Sequence, residues 1–280
     1  MNLALLGYPL SHSVSPAMHN AALVAVGLRD WRYDAMPVEP EKLADAVALL
    51  RTTPYAGANV TVPHKTTVIP FLDGLTPWAE AIGAVNTLVK RDSQLIGDNT
   101  DAVGLLTDIS SHLSIVQLTV LILGAGGSAR AAVAACVEIG AKVRLLARRR
   151  EQAQSLLLQF SNAQSSIELY DWSPLGFLQA SDNCALILNT TPLGMTPNVY
   201  ASPWLHGIPF PPGAFVYDLV YNPAETLLVK QARAAGLRAT TGLGMLIEQG
   251  ALAFEQWTSK IAPRSVMRQA AEIKLFAVFN

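Results

Sequence analysis

The stretch "LTVLILGAGGSARAAVAACVEIGAKVRLLARR", residues 118–149, constrains this chain more than any other. A short apolar run ends at Gly124, an alanine-rich segment with helical spacing follows, and "KVRLLA" is a second apolar run. This is a complete β-α-β unit, and its two parallel strands require the chain to cross over through a helix. Gly124-Ala125-Gly126-Gly127-Ser128-Ala129 matches G-x-G-x-x-A at the point where strand becomes helix. In that context the first glycine allows the tight turn and the second lets backbone approach a pyrophosphate. Ala125, Gly127 and Ser128 complete a loop whose unpaired N–H groups at the helix start face the phosphates. A glycine turn without a ligand is the plain alternative, and the strand, spacing and helix together favour a dinucleotide.

The rest of the chain also alternates. Strand-like "LALLG" precedes the helix-like "SPAMHNAALVAVG", then strand-like "WRYDAMPV" precedes "PEKLADAVALL". "AGANVTV" reads as a third strand, with Val60 and Val62 in a pleated interior, and residues 84–101 read as a two-stranded hairpin. Strand signals recur at 185–191 and 214–220, separated by a proline- and glycine-rich loop, and the last forty or so residues read as helical. The expected class is α/β with mainly parallel sheets.

Composition narrows the functional classes. The 280 residues are 51% hydrophobic and 15% charged, so the chain can bury a large core and disorder is excluded. A net charge of -1 without basic blocks leaves no footprint for nucleic acid. No apolar run reaches membrane length, and "MNLALLGYPLSHS" lacks the pattern of a secretory leader. Cys136 and Cys184 sit in apolar stretches away from metal-ligand spacing. These features lead us to expect a soluble, cytoplasmic, metal-free protein that acts on small molecules as a monomer or homodimer.

Several polar residues stand where apolar patterning does not call for them. "NVTVPHK" ends a strand in a cation, Lys65. Ser13 and Ser15 precede a helix, where Ser15-Pro16 reads as an N-cap followed by a first-turn proline. Asn86 falls inside an apolar strand, where a buried amide needs partners, and Asp101 reads as the N-cap of a helix. With Asn59 and Thr61 they cluster at strand ends and helix starts, where open α/β sheets bind ligands. After "KVRLLA", Arg148-Arg149-Arg150 stands in place of the acid that would hold a ribose 2′-hydroxyl. Cations at a helix start oppose the helix dipole unless an anion lies between them, and a 2′-phosphate is such an anion. NADP is the expected cofactor.

The motifs "SHSVSPAMHN", "GANVTVPHK", "IGAVNTLV", "GDNTDAVG", "LGAGGSARA", "NTTPLGM", "YDLVYNP" and "GLGMLIEQGALAFEQW" occur in the order found in shikimate dehydrogenases. The chain resembles that family from residue 7 to about 257. The resemblance implies a substrate domain from 1–101 with 241–280, and a Rossmann-like NADP domain from 102–240. It also implies reversible reduction of 3-dehydroshikimate to shikimate with NADPH. Carried over by position, Lys65 and Asp101 are the catalytic pair, and Ser13, Ser15, Asn59, Thr61, Asn86, Tyr221 and Gln249 contact substrate. Gly124 to Ser128 hold the pyrophosphate, Arg148 and Arg149 the 2′-phosphate, and Thr190, Leu219 and Gly242 the nicotinamide half. The sequence departs from the family at Ala147-Arg148-Arg149, where Asn-Arg-Thr is usual, and at Thr190, Pro192 and Ala102. Two alternatives stay open: an NAD-using quinate/shikimate dehydrogenase, and a non-catalytic metabolite-binding relative. An acid after the arginine would mark the first, and loss of Lys65 or Asp101 the second.

Overall fold

The computed structural model describes residues 1–11, 13–52, 54–160 and 166–276. In chain order the elements are β1 (Asn2–Gly7), α1 (Ser15–Ala25), β2 (Arg32–Pro37), α2 (Leu43–Leu50), β3 (Tyr55–Val60), β4 (Gly74–Leu75), α3 (Pro77–Ile82), β5 (Thr87–Arg91) and β6 (Gln94–Asp98). After them come α4 (Asp101–His112), β7 (Thr119–Leu123), α5 (Gly127–Glu138), β8 (Lys142–Ala147), α6 (Arg150–Phe160), β9 (Ile167–Asp171) and α7 (Pro174–Ser181). The last are β10 (Leu186–Asn189), β11 (Phe215–Asp218), α8 (Leu227–Ala234), β12 (Arg238–Thr241), α9 (Leu243–Thr258) and α10 (Arg264–Phe276). The chain divides into two compact units, Met1–Gly104 with the segment from Leu246 onward, and Leu105–Met245.

The first unit holds a six-stranded sheet ordered β2-β1-β3-β5-β6-β4. β1 pairs in parallel with β2 and β3, whereas β5 runs antiparallel to β3 and β6 antiparallel to β5. Register follows the pattern of buried side chains: Leu6 lies opposite Val60, Asn59 opposite Thr87, and Thr87 opposite Asp98. The ends of β1, β3 and β6 and the start of β5 therefore share one edge of the sheet. Leu6, Val60, Leu88 and Leu95 pack with Leu43, Val47 and Leu50 of α2 on one face. From the chain's C-terminal part, α10 packs against α1, and Phe254 and Trp257 of α9 close on His19.

The second unit is a parallel sheet ordered β12-β11-β10-β7-β8-β9. Read from β9, this is the doubly wound order, and the connections leave β7 in opposite directions to β8 and β10. β7 is buried from Val120 to Leu123, as a strand covered on both faces must be. The loop between β10 and β11 is held by aromatic packing. Trp204 stacks on Phe210 at 4.4 Å, meets Phe177 edge-on at 5.3 Å, and donates its indole N–H to the Ile208 carbonyl at 2.9 Å.

Three local expectations change. The third strand ends at Val60, and Val62 is 64% exposed, because Pro63 cannot continue a ladder. Asn86 lies just before β5 rather than within a strand. Ser15 is the first helical residue and not the cap: Val14 is the N-cap, without a side-chain cap bond, and the Ser15 N–H donates to Ser13 Oγ at 3.3 Å.

Candidate functional site

Four strand ends at the edge of the first sheet position the polar cluster. β3 delivers Asn59 and, one turn later, Lys65. The Thr61 N–H donates to the Leu6 carbonyl at 2.8 Å, and His64 N–H to the Thr61 carbonyl at 2.8 Å, which folds the segment after the strand. His64 is fully buried, its Nε2 2.6 Å from the Val38 carbonyl, so it anchors the turn carrying Lys65. Lys65 itself accepts Val85 N–H at its carbonyl at 2.7 Å.

Lys65 Nζ donates to Asp101 Oδ2 at 2.5 Å, with side chains 13% and 5% exposed. Asp101 Oδ1 accepts from Asn86 Nδ2 at 2.9 Å. Asp101 does not cap α4. Asn99 Oδ1 accepts from the Asp101 N–H at 3.0 Å and the Ala102 N–H at 3.4 Å, which leaves the Asp101 carboxylate for Lys65. Asn86 Nδ2 also reaches Thr100 Oγ1 at 2.9 Å and Gln249 Oε1 at 3.1 Å. Its Oδ1 accepts from Thr100 N–H at 2.8 Å and Thr87 Oγ1 at 3.0 Å. Asn59 joins the network through Thr87 Oγ1 and the Asn86 carbonyl. Low local dielectric makes such a satisfied network rigid and any unpaired member costly.

Of the residues singled out in the first unit, Asn59, Lys65, Asn86, Asp101 and Gln249 are thus joined in one network, and Ser13 and Ser15 are joined to each other. Thr61 packs its methyl toward Gly7, where a Cβ would approach within 2.4 Å. Tyr33, Thr87, Asn99 and Thr100 belong to the network without having been singled out. Thr100 and Asn99 carried a signal, two polar residues beside Asp101, but Tyr33 looked like an ordinary strand aromatic.

In the second unit the strand ends around β7 carry the remaining candidates. Gly124 has φ +113°, and a Cβ there would lie 2.7 Å from Thr190 Oγ1, which donates to the Leu123 carbonyl at 2.7 Å. Gly126 caps α5 with no side-chain partner, and a Cβ there would meet nothing within 4 Å. Free helix N–H groups beside open space fit a phosphate. Ala125, Gly127 and Ser128 are half-buried around it. Arg148 and Arg149 follow β8 exposed, and among the described residues neither has an ion-pair partner, whereas Arg150 pairs with Asp171. Gly242 abuts β11's exit, where a Cβ would lie 2.4 Å from the Leu219 carbonyl. Tyr221 is half-buried, and desolvation pushes its phenol up to about 12.

Between these loops sits a carboxylate that sequence reading overlooked. Asp218 is fully buried and accepts from Asn189 Nδ2 at 2.7 Å, Val220 N–H at 3.0 Å and Thr226 Oγ1 at 2.6 Å. Burial pushes it up to about 6 despite those donors. It ties the exits of β10 and β11, which carry Thr190 and Leu219. Among the described residues no group of three or more His, Cys, Asp or Glu is arranged to hold a metal, and no helix is long and apolar enough to cross a membrane.

Two family models match: the shikimate dehydrogenase substrate binding domain over residues 5–88, and the shikimate 5′-dehydrogenase C-terminal domain over residues 242–272. The NADP(+) shikimate dehydrogenase of Citrifermentans bemidjiense is 42% identical over 278 residues, 97% of this chain and 94% of that protein. The enzyme of the same name from Moorella thermoacetica is 44% identical over 272 residues, 95% and 90% of the two chains. The crystal structure of Thermus thermophilus shikimate 5-dehydrogenase in complex with NADP(H) and shikimate superposes with a TM-score of 0.88 at 35% identity, covering 98% of this chain and all of that one.

Proposed function

The chain belongs to the shikimate dehydrogenase family, and from that premise we propose that it interconverts 3-dehydroshikimate and shikimate with NADP(H), a step toward chorismate and the aromatic amino acids. The observation that carries the mechanism is the Lys65–Asp101 pair, buried at a strand-end cluster of neutral amides and hydroxyls. Bound NADPH supplies the hydride. The carbonyl oxygen of the substrate then gains negative charge and needs a proton. Lys65 Nζ can stabilise that charge and donate that proton, and in reverse it receives the proton of the alcohol. Asp101 holds the ammonium in place and is itself held by Asn86.

The rest of the first-unit cluster orients the ring. Ser13, Ser15, Asn59, Thr61, Asn86 and Gln249 supply neutral hydrogen-bonding groups suited to hydroxyls and a carboxylate, and Tyr221 is a further candidate for contact with substrate. The cofactor would be held at Gly124 to Ser128 and at Thr190, Leu219 and Gly242, with Arg148 and Arg149 on the 2′-phosphate. Arginines, not an acid, stand directly after β8, which does not favour a bare 2′-hydroxyl. The first unit would be the substrate domain and the second the cofactor domain.

The test follows the nicotinamide absorbance of purified protein offered shikimate or quinate, each with NADP and with NAD. Shikimate with NADP should be the best pair. Absence of turnover with that pair would overturn the proposal.

A further inference from the structure

Asn59 is committed on both sides of its amide. Its Nδ2 donates to the Asn86 carbonyl at 3.1 Å and to Thr87 Oγ1 at 3.3 Å, which uses both amide hydrogens. Its Oδ1 accepts from the Tyr33 hydroxyl at 2.8 Å. One lone pair on Oδ1 is all the side chain retains for a ligand. Asn59 can therefore accept a hydrogen bond from a ligand hydroxyl and cannot donate one.

Tyr33 reaches this position from β2, and its ring is 1% exposed. It stacks on His19 with centroids 4.3 Å apart and planes 11° from parallel, and tilts against Trp257 at 6.1 Å. Both backbone-facing groups of its residue are also fixed: Asn20 Nδ2 donates to the Tyr33 carbonyl at 2.8 Å, and the Tyr33 N–H donates to Asn20 Oδ1 at 2.9 Å. A ring clamped by stacking and a residue clamped at its backbone leave the phenol oxygen one place to be. A buried tyrosine hydroxyl needs a partner, and the one it meets here is an amide of the polar cluster.

We infer that Tyr33 is a positioning residue for substrate recognition, whose hydroxyl sets the place and polarity of the Asn59 side chain at the sheet edge. Tyr33 acts through Asn59, as Asn86 and Thr87 do from the opposite side. The inference rests on the reading above that the polyol substrate binds at this edge.

Tyr33→Phe tests it, because the change keeps the ring and its stacking and removes only the hydroxyl. Steady-state kinetics should show the KM for shikimate raised about three- to tenfold, the range for one neutral hydrogen bond. The loss in kcat should be smaller, and the KM for NADP should stay at its wild-type value. The double variant Tyr33→Phe/Asn59→Ala should match the shikimate KM of Asn59→Ala alone, since the route through Asn59 is then already lost. An unchanged shikimate KM in Tyr33→Phe, or a lowered thermal midpoint with that KM unaltered, assigns Tyr33 to the core and overturns the inference. Multiplying KM effects in the double variant overturn it as well. Wild-type protein that fails to oxidise shikimate with NADP overturns instead the function on which the inference rests, and that assay comes first.

Discussion

Lys65 and Asp101 make stability and activity separable at the level of single residues. Removing one partner of a buried pair leaves the other uncompensated, at a cost of about 3–5 kcal/mol. Lys65→Met and Asp101→Asn should each lose turnover by orders of magnitude and also melt earlier. The double variant Lys65→Met/Asp101→Asn should recover thermal stability relative to either single change without recovering turnover, as calorimetry beside the absorbance assay would show. Near-normal turnover in folded Lys65→Met would refute the proton-donor role. Ser13→Ala and Asn86→Ala carry a different expectation: each removes neutral hydrogen bonds, so shikimate KM should rise while NADP affinity holds. The cost for Asn86 should exceed the usual 0.5–1.5 kcal/mol or so, because its loss orphans buried groups of Asp101 and Thr100. Arg148→Ala should weaken NADP far more than NAD, since charge-assisted bonds to the 2′-phosphate are roughly twice as strong as neutral ones. Equal effects on both cofactors in titration calorimetry would reject that assignment.

The β7–α5 turn contains two glycines with opposite reasons to be glycine. Gly124 is required by the protein: φ is +113°, and a Cβ would press on Thr190. Gly124→Ala should lower the melting temperature by the equivalent of about 1–3 kcal/mol of strain, whether or not cofactor is present. Gly126 has an ordinary φ of -84° and open space where its Cβ would be. Gly126→Ala should leave the apo protein's melting temperature nearly unchanged yet weaken NADP, because the methyl takes room that a pyrophosphate would fill. Differential scanning fluorimetry with and without NADP distinguishes them. A Gly126→Ala protein with wild-type NADP affinity would show that the phosphates lie elsewhere. The same element explains why Cys136 is inert: burial within α5 pushes its thiol up to about 12, so little thiolate forms near neutral pH.

Across the molecule, two buried groups pull stability in opposite directions as pH falls. Among the described residues His19 has no hydrogen-bond partner for either ring nitrogen, and burial pushes it down from 6.5 to about 3. The unfolded chain takes up that proton first as pH falls, so stability is lost between about pH 6.5 and 3. Asp218 acts with the opposite sign. Burial raises it from 3.8 to about 6, so the folded state binds its proton first and gains stability as pH falls across that interval. The His19 window is the wider, and at about 1.4 kcal/mol per unit of displacement its contribution reaches several kcal/mol. Acidification from pH 7 toward 4 therefore sets the His19 loss against a comparable Asp218 gain, and His19→Leu, which keeps only the gain, should be more stable at pH 4 relative to pH 7 than the wild type is. Urea unfolding at both pH values measures the slope, and parallel changes in the two proteins would remove His19 as a cause.

What the sequence determined by itself is what local chemistry dictates. The β-α-β unit, its G-x-G-x-x-A turn and the hairpin read over 84–101, which the structure forms from Thr87 to Asp98, were legible because periodicity and glycine placement act over a few residues. The polar oddities were legible as oddities, since an apolar strand does not need Lys65, and the resemblance to a family supplied roles for them. Their partners were not legible. Ser15 looked like a cap and Asp101 looked like a cap, yet both are first helical residues whose N–H groups are taken by Ser13 and Asn99, which leaves the Asp101 carboxylate to Lys65. Nothing near Tyr33 announced that its hydroxyl meets Asn59, 26 residues away, or near Gln249 that it meets Asn86, 163 residues away. Those meetings are set by strand register and by the return of α9 to the first unit. They depend on which faces the folded core brings together, and that is a property of the tertiary structure alone.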